Sequence, residues 1–291
     1  MKPKHIGGYS GQHVRYCEQT LVTLLHRMGP WKQGVFLAGG LVPRYLFPDR
    51  AHAGTTDVDL VVSLDLLAET EAYRTLEENL KAMGFTRTIR EGGAPVHWQW
   101  RKVISDSVTV LVELLCEQED SQPGRAVRLP KENRLSALNI RGVGLVEQDF
   151  VDYELRADLL DEGGVAIETI RVAGVAAFLI LKARAYGDRA EEKDAYDLVY
   201  CLMAEGPESA ATKFLALRSR VAETVLLDEA LAVLAKDFAS DELTEGYRKN
   251  GPVSYARFLT DPGAPDRNVR HQRDASGVVE AFLEAIRRAS A

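Results

Sequence analysis

Apolar positions along this chain follow two rhythms. In the first half they alternate or run in short blocks bounded by glycine and proline; from about residue 173 they recur at three- and four-residue intervals. "VRYCEQTLVTLLHRM" carries helical spacing and stops near Gly29-Pro30. "GVFLAGG" predicts a short buried strand running into glycines, and "LVPRYLF" a helix that tolerates Pro43 in its first turn. "DVDLVV" predicts a second strand, and "DLLAETEAYRTLEENLKAMG" an amphipathic helix ended by Gly84. "VHWQWRKV" and "SVTVLVELLC" alternate or are β-branched and predict strands three and four, and "ELRADLLDEGGVAIETIRV" predicts a hairpin turning at Gly163-Gly164. Beyond Ala173 the pattern predicts helices in "GVAAFLILKARAYG", in "RAEEKDAYDLVYCLM", as a pair near Glu208 to Phe238, and in "DASGVVEAFLEAIRR". The expectation is an α+β chain: a mixed-sheet domain over residues 1–171 and an all-helical domain over 172–291.

Composition changes this picture little. Of 291 residues, 46% are hydrophobic and 27% charged, which is ordinary for a globular protein. Thirty-six Lys and Arg against 43 Asp and Glu give a formal charge of -7, which argues against indiscriminate coating of nucleic acid, because that needs a basic surface. Cys17, Cys116 and Cys201 share no metal-ligand or CxxC spacing and read as reduced core residues. The N-terminus lacks the apolar stretch of a signal peptide, and the longest apolar run, "VAGVAAFLIL", is half the ~20 residues a bilayer requires. The expected location is cytoplasmic, with no membrane partner.

Candidate chemistry sits in three places. Asp57 and Asp59 are two apart in a strand, so their side chains share a face. Glu113 interrupts the apolar strand "TVLVELLC"; if that strand lies beside the first, three carboxylates meet and repel by about 4 kcal/mol per pair at about 4 Å and an effective dielectric near 20. Such oxygen ligands suit magnesium. Gly39-Gly40, between a strand and a helix, would let backbone amides approach a phosphate. Each signal has a plainer reading: a solvated strand end for Asp57-x-Asp59, a protective edge charge for Glu113, a tight turn for the glycines.

The order strand, Gly-Gly, short helix, Asp-x-Asp strand, later acid resembles the nucleotidyltransferase superfold of DNA polymerase β-like enzymes. More narrowly, with the helical stretch "IRVAGVAAFLILKARAYGDRAEEKDAYDLVYCL", the chain resembles the abortive-infection AbiEii-type nucleotidyltransferases, often toxins of toxin–antitoxin pairs. The resemblance covers roughly Val35 to Met203. It implies that Gly39 and Gly40, with Thr56, hold the triphosphate of an NTP, and that Asp57, Asp59 and Glu113 bind two magnesium ions about 4 Å apart. It further implies that Lys182 neutralises phosphate charge and that Asp194 is a catalytic or substrate-positioning acid. Leu41 departs from the family's Ser or Thr after the glycines, and Glu113 stands where Asp is commoner. The residues themselves leave a plainer alternative for the helical patch: Gly187 ends one helix, the next begins near Arg189 or Ala190, and Lys182 and Asp194 pair across the two as a surface bridge, while Asp197 pairs with Lys193 four residues earlier.

The expected activity is transfer of an NMP to RNA, such as a tRNA end, or to protein, with a cognate antitoxin as possible partner. Arg125, Arg128, Lys131 and Arg134, and Arg267, Arg270 and Arg273, could hold an RNA backbone or be solvated loops. One alternative is a small-molecule, aminoglycoside-type enzyme, with "ASDELTEGY" lining a pocket for a cationic acceptor. Another is a nucleotide-binding scaffold with little catalysis, which Leu41 favours. His97, alternating with Gln99 and Arg101 along one strand face, reads as a surface residue rather than a base.

Overall fold

The computed structural model describes residues 3–63, 70–90, 92–128, 136–161, 163–260 and 265–290. Lys131, Arg134 and the first residues of the helix expected from Asp65 lie outside them. The chain divides into two compact units: Ser10–Tyr45 with Gly54–Ala173, and Gly174–Ala291 with two stretches from earlier in the sequence, Met1–Tyr9 and Leu46–Ala53.

The first unit opens with helix α1 (Gly11–Met28), whose Ser10 hydroxyl accepts from the His13 N–H at 3.2 Å and so caps one of the orphan amides of its first turn. Strand β1 (Val35–Ala38) is buried at all four residues, as the unbroken apolar run requires, and runs through the Gly39–Leu41 turn into the single-turn helix α2 (Val42–Leu46). Then come β2 (Asp57–Val62), helix α3 (Thr70–Ala82), and strands β3 (Thr86–Ile89), β4 (Pro95–Ser105), β5 (Val108–Cys116), β6 (Ala126–Arg128) and β7 (Ser136–Asn139). A one-turn helix α4 (Leu145–Gln148) precedes the hairpin of β8 (Phe150–Asp158) and β9 (Val165–Ala173), whose Gly163 and Gly164 both take positive φ.

The strands form one mixed sheet in the order β3-β4-β5-β2-β1-β9-β8, with β7 joining β5 and β6 joining β7. Strand β2 lies between β1, antiparallel to it, and β5, parallel to it. This arrangement matters because β2 and β5 carry the acids. On β5 burial alternates strictly: Val108, Val110, Val112, Leu114 and Cys116 point into the core, and Thr109, Leu111, Glu113 and Leu115 point to the opposite, half-exposed face. Glu113 therefore is not embedded among all its apolar neighbours, as the linear run suggests, but shares a face with alternate ones. Val58 and Leu60 of β2 are fully buried, leaving Asp57 and Asp59 on the other face.

The second unit is helical: α5 (Val175–Arg189), α6 (Glu192–Glu205), α7 (Pro207–Arg218), α8 (Val225–Phe238), α9 (Asn250–Leu259) and α10 (Pro265–Ser290). Its core includes Phe214 edge-on to Phe282 at 5.8 Å and Tyr186 edge-on to Phe238 at 5.1 Å. The α+β architecture with a helical C-terminal region is the one the sequence predicts. Three local features differ. The polar strand "TRTI" at β3 and helix α9 have no counterpart among the expected elements. Gly187 lies inside α5 rather than ending it: a Cβ there would come within 2.8 Å of Val233 of α8, so the glycine admits a close helix crossing, and the helix stops instead at Ala190 in the left-handed region. The next helix accordingly starts at Glu192. Among the described residues no helix is long and apolar enough to cross a membrane.

Candidate metal centre

Register brings the three acids together. Asp59 of β2 is paired directly with Glu113 of β5, and Asp57 sits two residues earlier on the same face. One oxygen from each of Asp57, Asp59 and Glu113 lies within 4.8 Å of the others, with Asp57 buried and the other two half-buried. Strand geometry alone accounts for this: a parallel neighbour about 4.8 Å away, in register, places like-facing side chains side by side. The arrangement is unfavourable for three anions at once, because each close pair repels by about 4 kcal/mol at 4 Å and an effective dielectric near 20. A divalent cation removes that cost, and three carboxylates with one side open to water fit the hard-oxygen preference of magnesium.

Neighbouring groups orient the acids. The Thr55 hydroxyl donates to Asp57 Oδ1 and accepts, at 3.4 Å, from the Asp57 amide. Gln99 of β4, paired with Glu113 on its other side, donates from Nε2 to Glu113 Oε1 at 2.6 Å. Neither Thr55 nor Gln99 figured as a site residue in the sequence; Thr55 could have been found from its position two before the first acid, whereas Gln99 needed the β4–β5 register. Thr56, expected to contact nucleotide, accepts from the Leu111 amide through its carbonyl at 3.4 Å and so ties the entry of β2 to β5.

The glycine turn packs against the same acids. Gly39 takes φ +70, and a Cβ on it would fall 1.7 Å from Asp59 Oδ2 and 2.6 Å from Asp59 Cγ. Glycine is thus required twice, for the backbone conformation and for the space the Asp59 carboxylate occupies. Gly40 and Leu41 are buried behind it, and Leu41, at 1% exposure, is a core side chain, which explains an aliphatic residue in that place. Helix α2 is one turn long, so an anion here would meet turn amides rather than a developed helix dipole. Cys17 of α1 is fully buried, and burial together with the charges of Asp57 and Asp59 pushes its thiol well up, which removes it as a nucleophile.

Lys182 and Asp194 belong to the helical unit, in a second charged cluster. Lys182 Nζ lies 2.9 Å from Asp194 Oδ1 and 2.8 Å from Asp197 Oδ2, and both aspartates are buried. Arg189 Nε is 2.6 Å from Asp194 Oδ2; Lys193 reaches Asp197 one turn on; His52 Nε2 is 2.9 Å from Asp197 Oδ1. The pairing across the helices is therefore real but interior, not the surface bridge its sequence spacing suggests. Desolvation opposes the charge on Lys182, Asp194 and Asp197. Lys182 and Arg189 nevertheless hold Asp194 below the usual carboxylate range, Lys182, Lys193 and His52 hold Asp197 well below it, and the two aspartates keep Lys182 charged. Burial pulls His52 the other way, below the usual imidazole value, against the opposing pull of Asp197. His52 also stacks on Tyr196 at 5.2 Å, and the Tyr196 hydroxyl accepts from the Ala53 amide, so the Leu46–Ala53 stretch is fastened to α6.

Other candidate residues have local duties. Asp241, in "ASDELTEGY", accepts from the amides of Leu243 and Thr244 and pairs with Lys249 at 2.7 Å, which makes it a turn residue. Arg270 is exposed beside Asp274 at 4.0 Å, Arg273 stacks over Tyr247 at 5.0 Å, and Arg125 is exposed. His97 receives the Arg87 guanidinium on its carbonyl at 2.9 Å, in keeping with a structural role. All three cysteines are free and buried.

No protein-family model and no curated protein matches the chain. Among solved structures it is similar to the antibiotic-resistance factor ANT(2'')-Ia at 15% identity, over 70% of this chain and 94% of that one, with a TM-score of 0.34, a likeness too slight to argue from.

Two outcomes follow from this geometry. Gly39→Ala is expected to cost about 1–3 kcal/mol from the left-handed backbone alone and, by displacing the Asp59 carboxylate, to weaken Mn²⁺ binding; denaturant unfolding and calorimetry check both, and unchanged values would contradict the packing described. His52 is held below its unfolded value, near 6.5, so the unfolded chain takes up its proton first as pH falls. Stability is then lost below about pH 6.5, and the depressed aspartates add a further loss below about pH 4. Denaturation midpoints at pH 8 and 5.5 should fall for the wild type and fall less for His52→Gln; equal losses would contradict it.

Proposed function

We propose that the protein is a divalent-metal-dependent nucleotidyltransferase that moves an NMP from an NTP to an acceptor. The observation that carries the reading is the convergence of Asp57, Asp59 and Glu113 on adjacent strands beside a glycine turn that is packed against one of them. A carboxylate trio could hold a structural ion by itself. A turn at the same spot that opens on two glycines offers backbone amides to a phosphate chain, and the pairing of the two supports a nucleotide.

In this reading Asp57, Asp59 and Glu113 would hold magnesium, and the amides of the Gly39–Leu41 turn would take the phosphates. When bound, magnesium supplies charge neutralisation on the triphosphate and on the departing pyrophosphate. The protein's own contribution is positioning: the acids are fixed by strand register, and Thr55 orients Asp57. The acceptor's hydroxyl attacks the α-phosphorus, a new P–O bond forms, the bond to pyrophosphate breaks, and the hydroxyl proton leaves to solvent.

The resemblance of the helical motif to AbiEii-type proteins supports a macromolecular acceptor, RNA or protein, and a toxin role balanced by an antitoxin. Lys182, charged and flanked by Asp194, is the cation of that motif, and its ion pairs support a part in fastening the helices as well. A small-molecule acceptor is the second reading; Asp241's engagement in its own turn counts against the acidic loop invoked for it.

The test is incubation with each α-labelled NTP, magnesium, and in parallel total RNA, total protein or an aminoglycoside. Label is expected in one acceptor class, with Asp59→Asn lowering incorporation at least 100-fold and abolishing any growth arrest on expression. Growth arrest that survives in Asp59→Asn would speak for a non-catalytic, partner-binding role.

A further inference from the structure

Glutamate is a flexible choice for a third metal ligand, since it has one more rotatable bond than aspartate, and something must hold its carboxylate toward Asp57 and Asp59. Strand β5 has two neighbours at this level. On one side Asp59 is paired with Glu113; on the other Gln99 of β4 is paired with it, across an antiparallel ladder where facing side chains stand within contact distance. Gln99 Nε2 donates to Glu113 Oε1 at 2.6 Å. That bond engages Oε1 and leaves Oε2 for another partner.

We infer that Gln99 is a positioning residue: it holds the Glu113 carboxylate in place for a cation through a donor that carries no charge. This rests on the metal reading of the site. The absence of charge is what decides the role. In the helical unit the buried carboxylates of Asp194 and Asp197 are held by Lys182, Lys193 and Arg189, whose positive charges cancel theirs. Among the described residues Glu113 has no ion pair, and its hydrogen-bond donor is the Gln99 amide. An amide fixes a carboxylate and leaves its negative charge available, and groups that orient ligands in this way set affinity for the ion. A glutamine that served only as a cross-strand polar pair would add a little to sheet stability and nothing to metal binding.

The experiment measures Mn²⁺ binding by calorimetry and by electron paramagnetic resonance, without nucleotide, on the full chain and on Gln99→Met and Gln99→Lys, with the thermal midpoint of each in EDTA. Gln99→Met removes the donor at nearly constant volume and should weaken Mn²⁺ binding about 10- to 100-fold while leaving the metal-free midpoint nearly unchanged. Gln99→Lys places an internal cation against Glu113 and should abolish binding while raising the metal-free midpoint, so it keeps the test decisive even if the Met variant folds poorly. Wild-type affinity in either folded variant would overturn the role of Gln99 and leave the metal reading standing. Failure of the wild type itself to bind Mn²⁺ would overturn both.

Discussion

Mutual repulsion of three carboxylates on two neighbouring strands is the constraint around which the sheet unit is organised. Asp59 and Glu113 are direct cross-strand partners, and Asp57 is the next residue on their face. Like charges placed directly opposite destabilise a sheet, so the arrangement needs a rigid frame and suits a compensating cation. The frame is the fully buried opposite face: Val58 and Leu60 on β2, and Val110, Val112 and Leu114 on β5. A one-residue slip between the strands would drive acids into the core, so the hydrophobic alternation that fixes the register also fixes the site.

The chain handles buried acids in two different ways. In the helical unit Asp194 and Asp197 are surrounded by lysine, arginine and histidine, and their charge is spent on holding α5, α6 and the Leu46–Ala53 stretch together. Removing one member of such a cluster strands another, which typically costs about 3–5 kcal/mol. On the sheet, Glu113 meets an amide, and Asp57 meets a hydroxyl from a residue two positions before it. The Gln99 amide orients Glu113 without neutralising it. The first cluster therefore fastens the helical unit, and on the sheet Glu113 keeps a charge that a ligand can use.

Much of this was legible in the sequence, and the reasons are local. Strand period two places Asp57 and Asp59 on one face without any structure, and the apolar runs of β1, β2 and β5 identify central strands. What the sequence could not supply was register. Nothing in "VHWQWRKV" distinguishes Gln99 from His97 or Arg101 as the residue opposite Glu113, because all three share a face and only the ladder decides. Gly187 misled for a related reason: a glycine that ends a helix and one that lets Val233 of a neighbouring helix approach look alike in one dimension. The depth of the Lys182 pair was equally hidden, since spacing shows that two residues can meet but not whether water reaches them. The edge strand β3 is too polar to stand out, and helix α9 opens on Asn250-Gly251-Pro252, residues that read as a turn although Tyr255, Ala256 and Phe258 behind them are buried at helical spacing.

The central claim, that Asp57, Asp59 and Glu113 form one cation site facing the Gly39 turn, is tested most directly by crystals grown with Mn²⁺ and a non-hydrolysable NTP analogue. Anomalous diffraction should place manganese among the three carboxylates, with the analogue's phosphates against Gly39 and Gly40. Manganese bound elsewhere, or an ordered analogue remote from β2, would contradict the account.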